Sequence, residues 1–226
     1  MEQKLFLFDF DGVLVDSLDI YEQSVRLCLE KIGTPIIKNR ADYLELFDHN
    51  FYEAMAAKGV DLAAFMKAAD DLRDFVDYEK MKPFYPIIPV LAELCKHHIL
   101  LVISSNFTQA VQNILIHFQF NPCFRDILGS DFRFSKKEKI DYAVARFQIG
   151  RDRTYYIGDT AGDIREGRAA GVRTVAVTWG WHSREKLAAT QPDFLVDTPE
   201  ELLVFRRKDV EHHNRPSLRL QDLRWQ

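Results

Sequence analysis

Four aspartates stand in two pairs, each directly after an apolar run of the chain. Asp9 and Asp11 follow the first run, and Asp159 and Asp163 follow a run in the second half of the sequence. Four carboxylates gathered at neighbouring strand ends repel one another unless protons or a cation compensate their charge, and Mg²⁺ prefers such hard oxygen ligands. Either pair alone could be explained as the cap of a helix, but the two together predict a magnesium site.

Two further segments could bind a phosphate group. Ser105 and Asn106 follow the apolar run at 99–103 and precede a helical pattern, and a hydroxyl beside the amides of a helix N-terminus forms a natural phosphate cradle. Lys136 and Lys137 precede a helical pattern that we expect to begin near residue 140. A lysine at that place could balance the charges of phosphate and carboxylates. Taken alone, the first segment is more often a helix cap and the second more often an exposed lysine pair, so the prediction depends on their combination with the aspartates.

Short apolar runs without alternation predict strands that are buried on both faces, as in a parallel sheet. Helical periodicity between them, at 107–118 and 140–147, predicts an α/β fold. Ligands bind at the carboxyl ends of strands in such sheets, which is where the aspartate pairs stand. The five predicted strands are residues 5–8, 99–103, 155–157, 172–177 and 194–196.

A helical segment interrupts this alternation directly after the first strand. Residues 17–82 show helical patterns and no convincing strand, and a helical insertion next to a strand end is typical of a lid. We therefore predict an α/β core domain made of residues 1–16 and 83–226, with an inserted helical domain at 17–82. The basic residues 206–226 are interpreted as a docked or frayed terminus.

Composition excludes several classes of protein. The chain has 226 residues, 47% of them hydrophobic and 28% charged, with a net charge of −4. These values are unlike those of a disordered chain, and they give no general attraction to nucleic acid. No apolar run approaches the roughly 20 residues of a membrane helix, and three scattered cysteines indicate neither a disulfide framework nor a zinc site. We expect a soluble cytoplasmic protein, a monomer or a homodimer.

The residues singled out above resemble, in order, the four motifs of the haloacid dehalogenase-like hydrolases. The matching residues are the segment DFDGV at 9–13, Ser105, a lysine near 136, and Asp159 with Asp163. The sequence between 156 and 202 resembles the phosphoglycolate phosphatase branch, whose C1 cap the helical insertion resembles. The resemblance implies a Rossmann-like three-layer α/β core with a parallel sheet of order 3-2-1-4-5 and an inserted α-helical cap.

The resemblance also implies a role for each catalytic residue. Asp9 would be the nucleophile that forms an aspartyl phosphate, and Asp11 the general acid and base. Ser105 would bind the transferring phosphoryl group, and Lys136 would balance charge. The lysine motif departs from the branch pattern, which often reads Lys-Pro, so Lys137 stays an alternative.

Metal and phosphate binding follow from the same resemblance. Mg²⁺ would be bound by Asp9, by the Asp11 carbonyl and by Asp159, with Asp163 supporting the metal site. Besides Ser105 and Lys136, the residues implied to bind phosphate are Phe10, Gly12 and Asn106. The segment 179–182 follows a predicted strand. Its side chains could border the site, but we interpret them as packing residues.

The predicted function is a Mg²⁺-dependent phosphatase that acts on a small phosphorylated metabolite. A haloacid dehalogenase would need neither Mg²⁺ nor Asp11, and sugar phosphomutases of this type carry an early cap histidine that residues 18–22 lack. A phosphonatase would need a reactive lysine in the cap, where nothing marks one out. A non-catalytic binding protein could lose Asp9, which is present. Phosphoglycolate, a sugar phosphate, a nucleotide and pyrophosphate all remain open as substrates.

Overall fold

A six-stranded parallel sheet forms the centre of the protein in the computed structural model, which describes residues 2–72, 80–120 and 123–206. The predicted terminal segment beyond residue 206 therefore lies outside the described residues. The strands are β1 (Leu5–Asp9), β2 (Val15–Asp16), β3 (Lys82–Pro83), β4 (Ile99–Ile103), β5 (Phe124–Leu128), β6 (Thr154–Gly158), β7 (Arg173–Val177) and β8 (Phe194–Val196). The helices are α1 (Leu18–Lys31), α2 (Arg40–Glu45), α3 (Phe51–Ala57), α4 (Leu62–Asp71), α5 (Ile87–Leu94), α6 (Thr108–His117), α7 (Lys136–Phe147), α8 (Ala161–Ala169) and α9 (Arg184–Ala189).

The strand order of the main sheet is β5-β4-β1-β6-β7-β8. When the strands of this sheet alone are numbered along the chain, leaving out β2 and β3, the order is 3-2-1-4-5-6. This confirms the predicted order and adds a sixth strand. All five apolar runs form strands, but β5 was not among them because Arg125 and Asp126 interrupt its apolar residues. As an edge strand, β5 leaves part of its surface uncovered and so accommodates these charges.

The sheet is buried on both faces, which explains its unbroken apolar runs. Side chains alternate along β1, so that Phe6 and Phe8 pack into a cluster with residues of α5 and α6. Leu5 and Leu7 point to the opposite face and pack with residues of α7. All five residues of β1 are buried, and each large apolar side chain removed from water contributes about 1.5–3 kcal/mol. The result is the predicted three-layer α/β architecture.

Helices α1 to α4 lie between β2 and β3 and have a hydrophobic cluster of their own. Its fully buried side chains include Leu29, Tyr43, Leu46 and Met55. The antiparallel pairing of β2 with β3 brings the two ends of this helical segment together. Among the described residues, no helix combines the length and the apolar composition that crossing a bilayer requires.

Candidate active site

The first aspartate of the site stands at the carboxyl end of the central strand. Asp9 is buried, and its Oδ1 accepts a hydrogen bond from the Phe10 amide at 2.8 Å. The chain then turns at Gly12, whose φ of +74° favours glycine. A Cβ atom at Gly12 would lie 2.0 Å from Oδ2 of Asp159, so this turn also needs glycine for space. The DFDG segment thus brings the two predicted aspartate pairs together.

Asp159 follows β6, the strand that pairs directly with β1. It is fully buried, and its Oδ2 accepts the Trp181 amide at 2.7 Å. Its Oδ1 is also buried and has no hydrogen-bond partner among the described residues. A buried polar atom without a partner is costly, so this oxygen is available for a ligand.

Asp163 is held by the start of α8, where Thr160 and Asp163 form a capping box. Its Oδ2 accepts the Thr160 hydroxyl at 2.6 Å, and its Oδ1 accepts the Tyr156 hydroxyl at 2.8 Å. Both oxygens therefore have donors from the protein itself. Asp163 lies in the first turn of α8, near the start of the helix that follows Asp159, as its spacing predicts.

Lys136 connects the two aspartate pairs. Its Nζ donates to Asp9 Oδ2 at 2.7 Å and to Asp163 Oδ1 at 2.6 Å. Burial alone would lower the pKa of Lys136, but the carboxylates of Asp163 and Asp9 raise it above its usual value. In turn, burial favours a protonated Asp163, yet Lys136 holds the pKa of that carboxyl below its usual range. Lys136 is therefore a permanent cation in the site.

The predicted start of the following helix near residue 140 is wrong. Helix α7 begins at Lys136, and Ser135 caps it by accepting the Glu138 amide. This earlier start decides between the two lysines, because neighbouring helical residues point in different directions. Lys137 is exposed, and its Nζ donates to Asp141 at 2.6 Å. Lys136 is thus the member of the pair that contacts the predicted site.

Asp11 lies between two polar donors at the rim of the site. Its Oδ1 accepts a hydrogen bond from the Ser17 hydroxyl, and its Oδ2 accepts one from the side-chain amide of Asn106, both at 2.6 Å. Burial raises the pKa of Asp11 to about 6, although both hydrogen bonds favour the ionised form. A carboxyl group with this pKa can both give and take a proton near neutral pH.

Ser105 follows β4, the other neighbour of β1. Its carbonyl oxygen accepts the Tyr52 hydroxyl at 2.6 Å, which connects α3 to the end of β4. The backbone amide of Asn106 donates to the Ser104 hydroxyl at 3.0 Å. The segment that was predicted to bind phosphate, Ser105 and Asn106, therefore lies at the carboxyl ends of the strands, beside Asp9.

The carboxylates of Asp9, Asp159 and Asp163 fit a divalent cation. One oxygen of each lies within 4.8 Å of the others. Burial, together with repulsion from neighbouring carboxylates, raises the pKa of Asp9 and of Asp159 well above the usual range. Lys136 alone does not balance the cluster, and Oδ1 of Asp159 is available. Hard oxygen ligands with excess negative charge are the chemistry that Mg²⁺ requires.

Comparison with known proteins identifies the family. Residues 6–177 match the haloacid dehalogenase-like hydrolases. The chain belongs to this family. The matched range contains Asp9, Lys136, Asp159 and Asp163, so this hydrolase carries its acidic cluster within the region that defines the family.

Relatives of the hydrolase include phosphatases. It is 28% identical over 202 residues to a phosphoglycolate phosphatase of Synechococcus elongatus, in an alignment covering 87% of this chain and 94% of the relative. It is 26% identical over 215 residues to pyrophosphatase PpaX of Listeria welshimeri, covering 90% and 96% respectively. A haloacid dehalogenase-like family hydrolase from Streptococcus pneumoniae has a TM-score of 0.72 at 23% identity, covering 91% of this chain and 99% of that one. That structure shares the fold.

Three residues of the hydrolase's site escaped the sequence analysis. Lys139 is fully buried and donates to the Ser104 carbonyl at 2.6 Å, and burial lowers its pKa to about 7. Glu166 accepts the Lys136 amide at 2.8 Å and so fixes the start of α7. Trp181, interpreted as a packing residue, also donates its amide to Asp159. Lys139 was missed because the charged run KKEK at 136–139 is typical of an exposed helix face. Trp181 was missed because it donates through its backbone amide, which the residue type does not reveal.

Proposed function

We propose that this hydrolase is a Mg²⁺-dependent phosphatase that cleaves phosphate monoesters through an aspartyl-phosphate intermediate. The observation that carries the proposal is the buried cluster of Asp9, Asp159 and Asp163 with Lys136 between two of its members. Phosphoryl transfer depends on positioning and charge neutralisation, which this cluster is suited to supply. The phosphatase and pyrophosphatase among its relatives support the same reaction class.

Mg²⁺ would be held by carboxylate oxygens of Asp9 and Asp159, together with the Asp11 carbonyl. Asp163 already accepts protein hydrogen bonds on both oxygens, so its role is to hold Lys136 and support the metal site. When bound, the cation supplies positive charge that reduces the repulsion between a phosphate dianion and the nucleophilic carboxylate.

Asp9 performs the first half of the reaction. Its carboxylate oxygen attacks phosphorus, a new O–P bond forms, and the bond from phosphorus to the ester oxygen breaks. Protonated Asp11 gives its proton to the departing alkoxide. Lys136, the Ser105 hydroxyl and Asn106 stabilise the charge on the phosphoryl oxygens. The amides of Phe10 and Gly12, which were expected to do the same, already donate to Asp9 Oδ1 and to the Val15 carbonyl.

Asp11 performs the second half with Asp9 as the leaving group. The ionised Asp11 carboxylate takes a proton from a water molecule, and that water oxygen attacks the phosphorus of the aspartyl phosphate. The bond between Asp9 and phosphorus breaks, which releases inorganic phosphate and restores both carboxyl groups. A group with a pKa of about 6 suits both halves.

The helical segment at 17–82 is proposed to be a cap domain. Its helix α3 contacts the end of β4 through the hydrogen bond from Tyr52 to Ser105, so it covers the site where an ester would enter. Excluding water strengthens electrostatic interactions in the site. We place the enzyme in the cytoplasm, where its three free cysteines would stay reduced.

The proposal is tested by metal dependence in two independent readouts. Phosphate release from a panel of esters is expected to need Mg²⁺ and to stop with a chelator. Mg²⁺ is also expected to raise the Tm of the wild type by several degrees, because it binds only the folded state. Asp159→Asn should lose both effects, since an amide is a poor ligand for Mg²⁺.

The exposed Asp152 supplies a matched control for this experiment. Asp152→Asn should keep both the activity and the Mg²⁺-dependent rise in Tm. Phosphate release that continues in chelator, or an undiminished rise in Tm in Asp159→Asn, would contradict the metal assignment.

A change at Ser17 is expected to move the pH profile. Asp11 must be protonated to serve the leaving group, so kcat/KM for an alkyl phosphate should fall as pH rises through the pKa of about 6. The Ser17 hydroxyl stabilises the ionised carboxylate. In Ser17→Ala the pKa of Asp11 rises, and the fall should shift upward by about one pH unit.

Ser17 is well placed for this test because its side chain makes no capping hydrogen bond to α1. Loss of helix stability therefore does not complicate the result. Ser183→Ala, at the start of α9, serves as a control and should leave the profile unchanged. An unshifted profile in Ser17→Ala would show that a different group supplies the proton.

A further inference from the structure

A pocket opens beside Asp11, between the helical segment and the ends of the sheet strands. It has a volume of about 760 Å³ including its open mouth, and Asp11, Ser105 and Asn106 line its base. Those three residues belong to the site described above. The pocket therefore lies where the alcohol part of a phosphate ester would extend from the reacting phosphorus.

The walls of this pocket are aromatic. Eight of its lining residues carry aromatic rings, and several rings contact one another. Phe47 packs edge-on against Trp181 with ring centroids 4.9 Å apart, and it stacks on Phe51 at 5.0 Å. Burial raises the pKa of Tyr52 to about 12, so this phenol is uncharged at neutral pH. The surface offers flat, apolar contact area.

The described lining residues include no lysine, arginine or histidine. Asp11 is their sole charged member, and Lys136 of the acidic cluster is not among them. A second anionic group on the substrate would meet no cation among the described lining residues, only neutral donors such as Ser24 and Ser130. It would also face the Asp11 carboxylate, and burying a charge without an opposite charge is costly. This chemistry disfavours phosphoglycolate and pyrophosphate, whose leaving groups carry negative charge.

A further observation indicates that the ligand reaches Trp181. The indole Nε1 of Trp181 is buried and has no hydrogen-bond partner among the described residues, although Trp181 lines the pocket. Buried donors normally have partners, so an acceptor on a ligand would satisfy this one.

We propose that the substrate is a phosphate monoester of an uncharged, largely apolar alcohol, with an aromatic or similarly flat group that fills this pocket. The inference rests on the proposed phosphatase function and names the substrate class of the same site. Ser105 and Asn106 face the phosphate end, and the rings of Phe47, Phe51 and Trp181 contact the alcohol end.

The test compares three esters whose alcohols are all weakly acidic, so that their leaving-group chemistry differs little, and adds pyrophosphate, whose leaving group is phosphate. With Mg²⁺ present, kcat/KM is measured for 2-phenylethyl phosphate, ethyl phosphate, 2-phosphoglycolate and pyrophosphate. We expect 2-phenylethyl phosphate to exceed ethyl phosphate by about 100-fold, which corresponds to burial of one aromatic ring, and to exceed both anionic compounds by more. Preference for phosphoglycolate or pyrophosphate, or equal rates for the phenylethyl and ethyl esters, would overturn the inference.

A variant of α4 tests the charge argument within one protein. Met66 is half-buried and lines the pocket, so Met66→Lys introduces a cation there. The ratio of kcat/KM for phosphoglycolate to that for 2-phenylethyl phosphate should rise at least about tenfold relative to Met66→Gln, which adds polarity without charge. An unchanged ratio in a folded Met66→Lys protein would count against the pocket as the leaving-group site.

A binding measurement separates this inference from the proposed function. Tryptophan fluorescence is titrated with 2-phenylethanol, and the change should be much smaller in Trp181→Phe. If the alcohol binds but no ester is hydrolysed, the pocket inference survives as ligand binding and the phosphatase function fails. If phosphoglycolate is the preferred substrate and the alcohol does not bind, the function stands and the pocket inference falls.

Discussion

Replacing Asp9 with asparagine is expected to lower kcat/KM for phosphate esters by at least about 10⁴-fold, the scale seen when a nucleophile is removed. The amide cannot form the covalent bond to phosphorus that the proposed mechanism requires. The fold should survive, because asparagine has nearly the same shape and can still accept the Phe10 amide. Lys136 keeps Asp163 as a partner. The measurement is steady-state kinetics with Mg²⁺, alongside thermal unfolding.

Trapping the intermediate supplies a second readout for Asp9. Rapid acid quench and peptide mass analysis should find one phosphoryl group on the peptide that contains Asp9 in the wild type, and none in Asp9→Asn. Activity in Asp9→Asn within about tenfold of the wild type, or a phosphoryl group on another residue, would show that Asp9 is not the nucleophile.

Replacing Lys136 with methionine is expected to damage both catalysis and stability. Loss of one charge-stabilising donor typically costs about 10²–10³ in kcat. Leaving Asp9 and Asp163 without their shared buried cation should also reduce the free energy of unfolding by about 3–5 kcal/mol at pH 7 without Mg²⁺. Kinetics and urea unfolding measure the two effects.

The pH dependence of the stability loss follows from the carboxyl groups. Burial works against ionisation of Asp163, but chiefly Lys136 keeps its folded-state pKa below the usual value. The pairing stabilises the wild type fully at pH values above the pKa of Asp163 in the unfolded chain. This stabilisation is lost as the pH falls through the pKa of Asp163 in the folded protein. The deficit of Lys136→Met should therefore be largest near neutral pH and shrink in acid.

Lys137 provides the matched control because it is the next residue along the same helix. It is exposed and pairs with Asp141 only through a surface contact, which contributes little to stability. Lys137→Met should leave both kinetics and unfolding essentially unchanged. A larger loss of activity in Lys137→Met than in Lys136→Met would reverse the assignment of the catalytic lysine.

Much of the fold could be predicted because a buried parallel sheet leaves unbroken apolar runs. β4 and β6 were predicted in this way, whereas helical periodicity predicted the helices that interrupt the α/β pattern. β5 was missed for a physical reason. It lies at the sheet edge, where Arg125 and Asp126 reach partly uncovered surroundings, so its sequence lacks the signal that marks the central strands.

The site was predictable in its acidic residues and less so in its cations. Asp9 ends β1 and Asp159 directly follows β6, so the sheet itself fixes where they meet. The choice between Lys136 and Lys137 depends on the rotation of α7, which the Ser135 cap and Glu166 set. Lys139, buried beneath Ser104, could not be distinguished from its exposed neighbours, because a lysine's burial depends on tertiary packing.

The position of β1 in the centre of the sheet has a consequence for biosynthesis. Asp9 and Lys136 are in contact although 127 positions separate them in the chain. A ribosome therefore releases β1 long before β4 and β6, its two neighbours, exist. Such long-range pairing slows folding, and an N-terminal fragment that ends before β6 leaves one edge of an apolar strand open to other chains. Truncated translation products of this enzyme should accordingly be inactive and prone to aggregate.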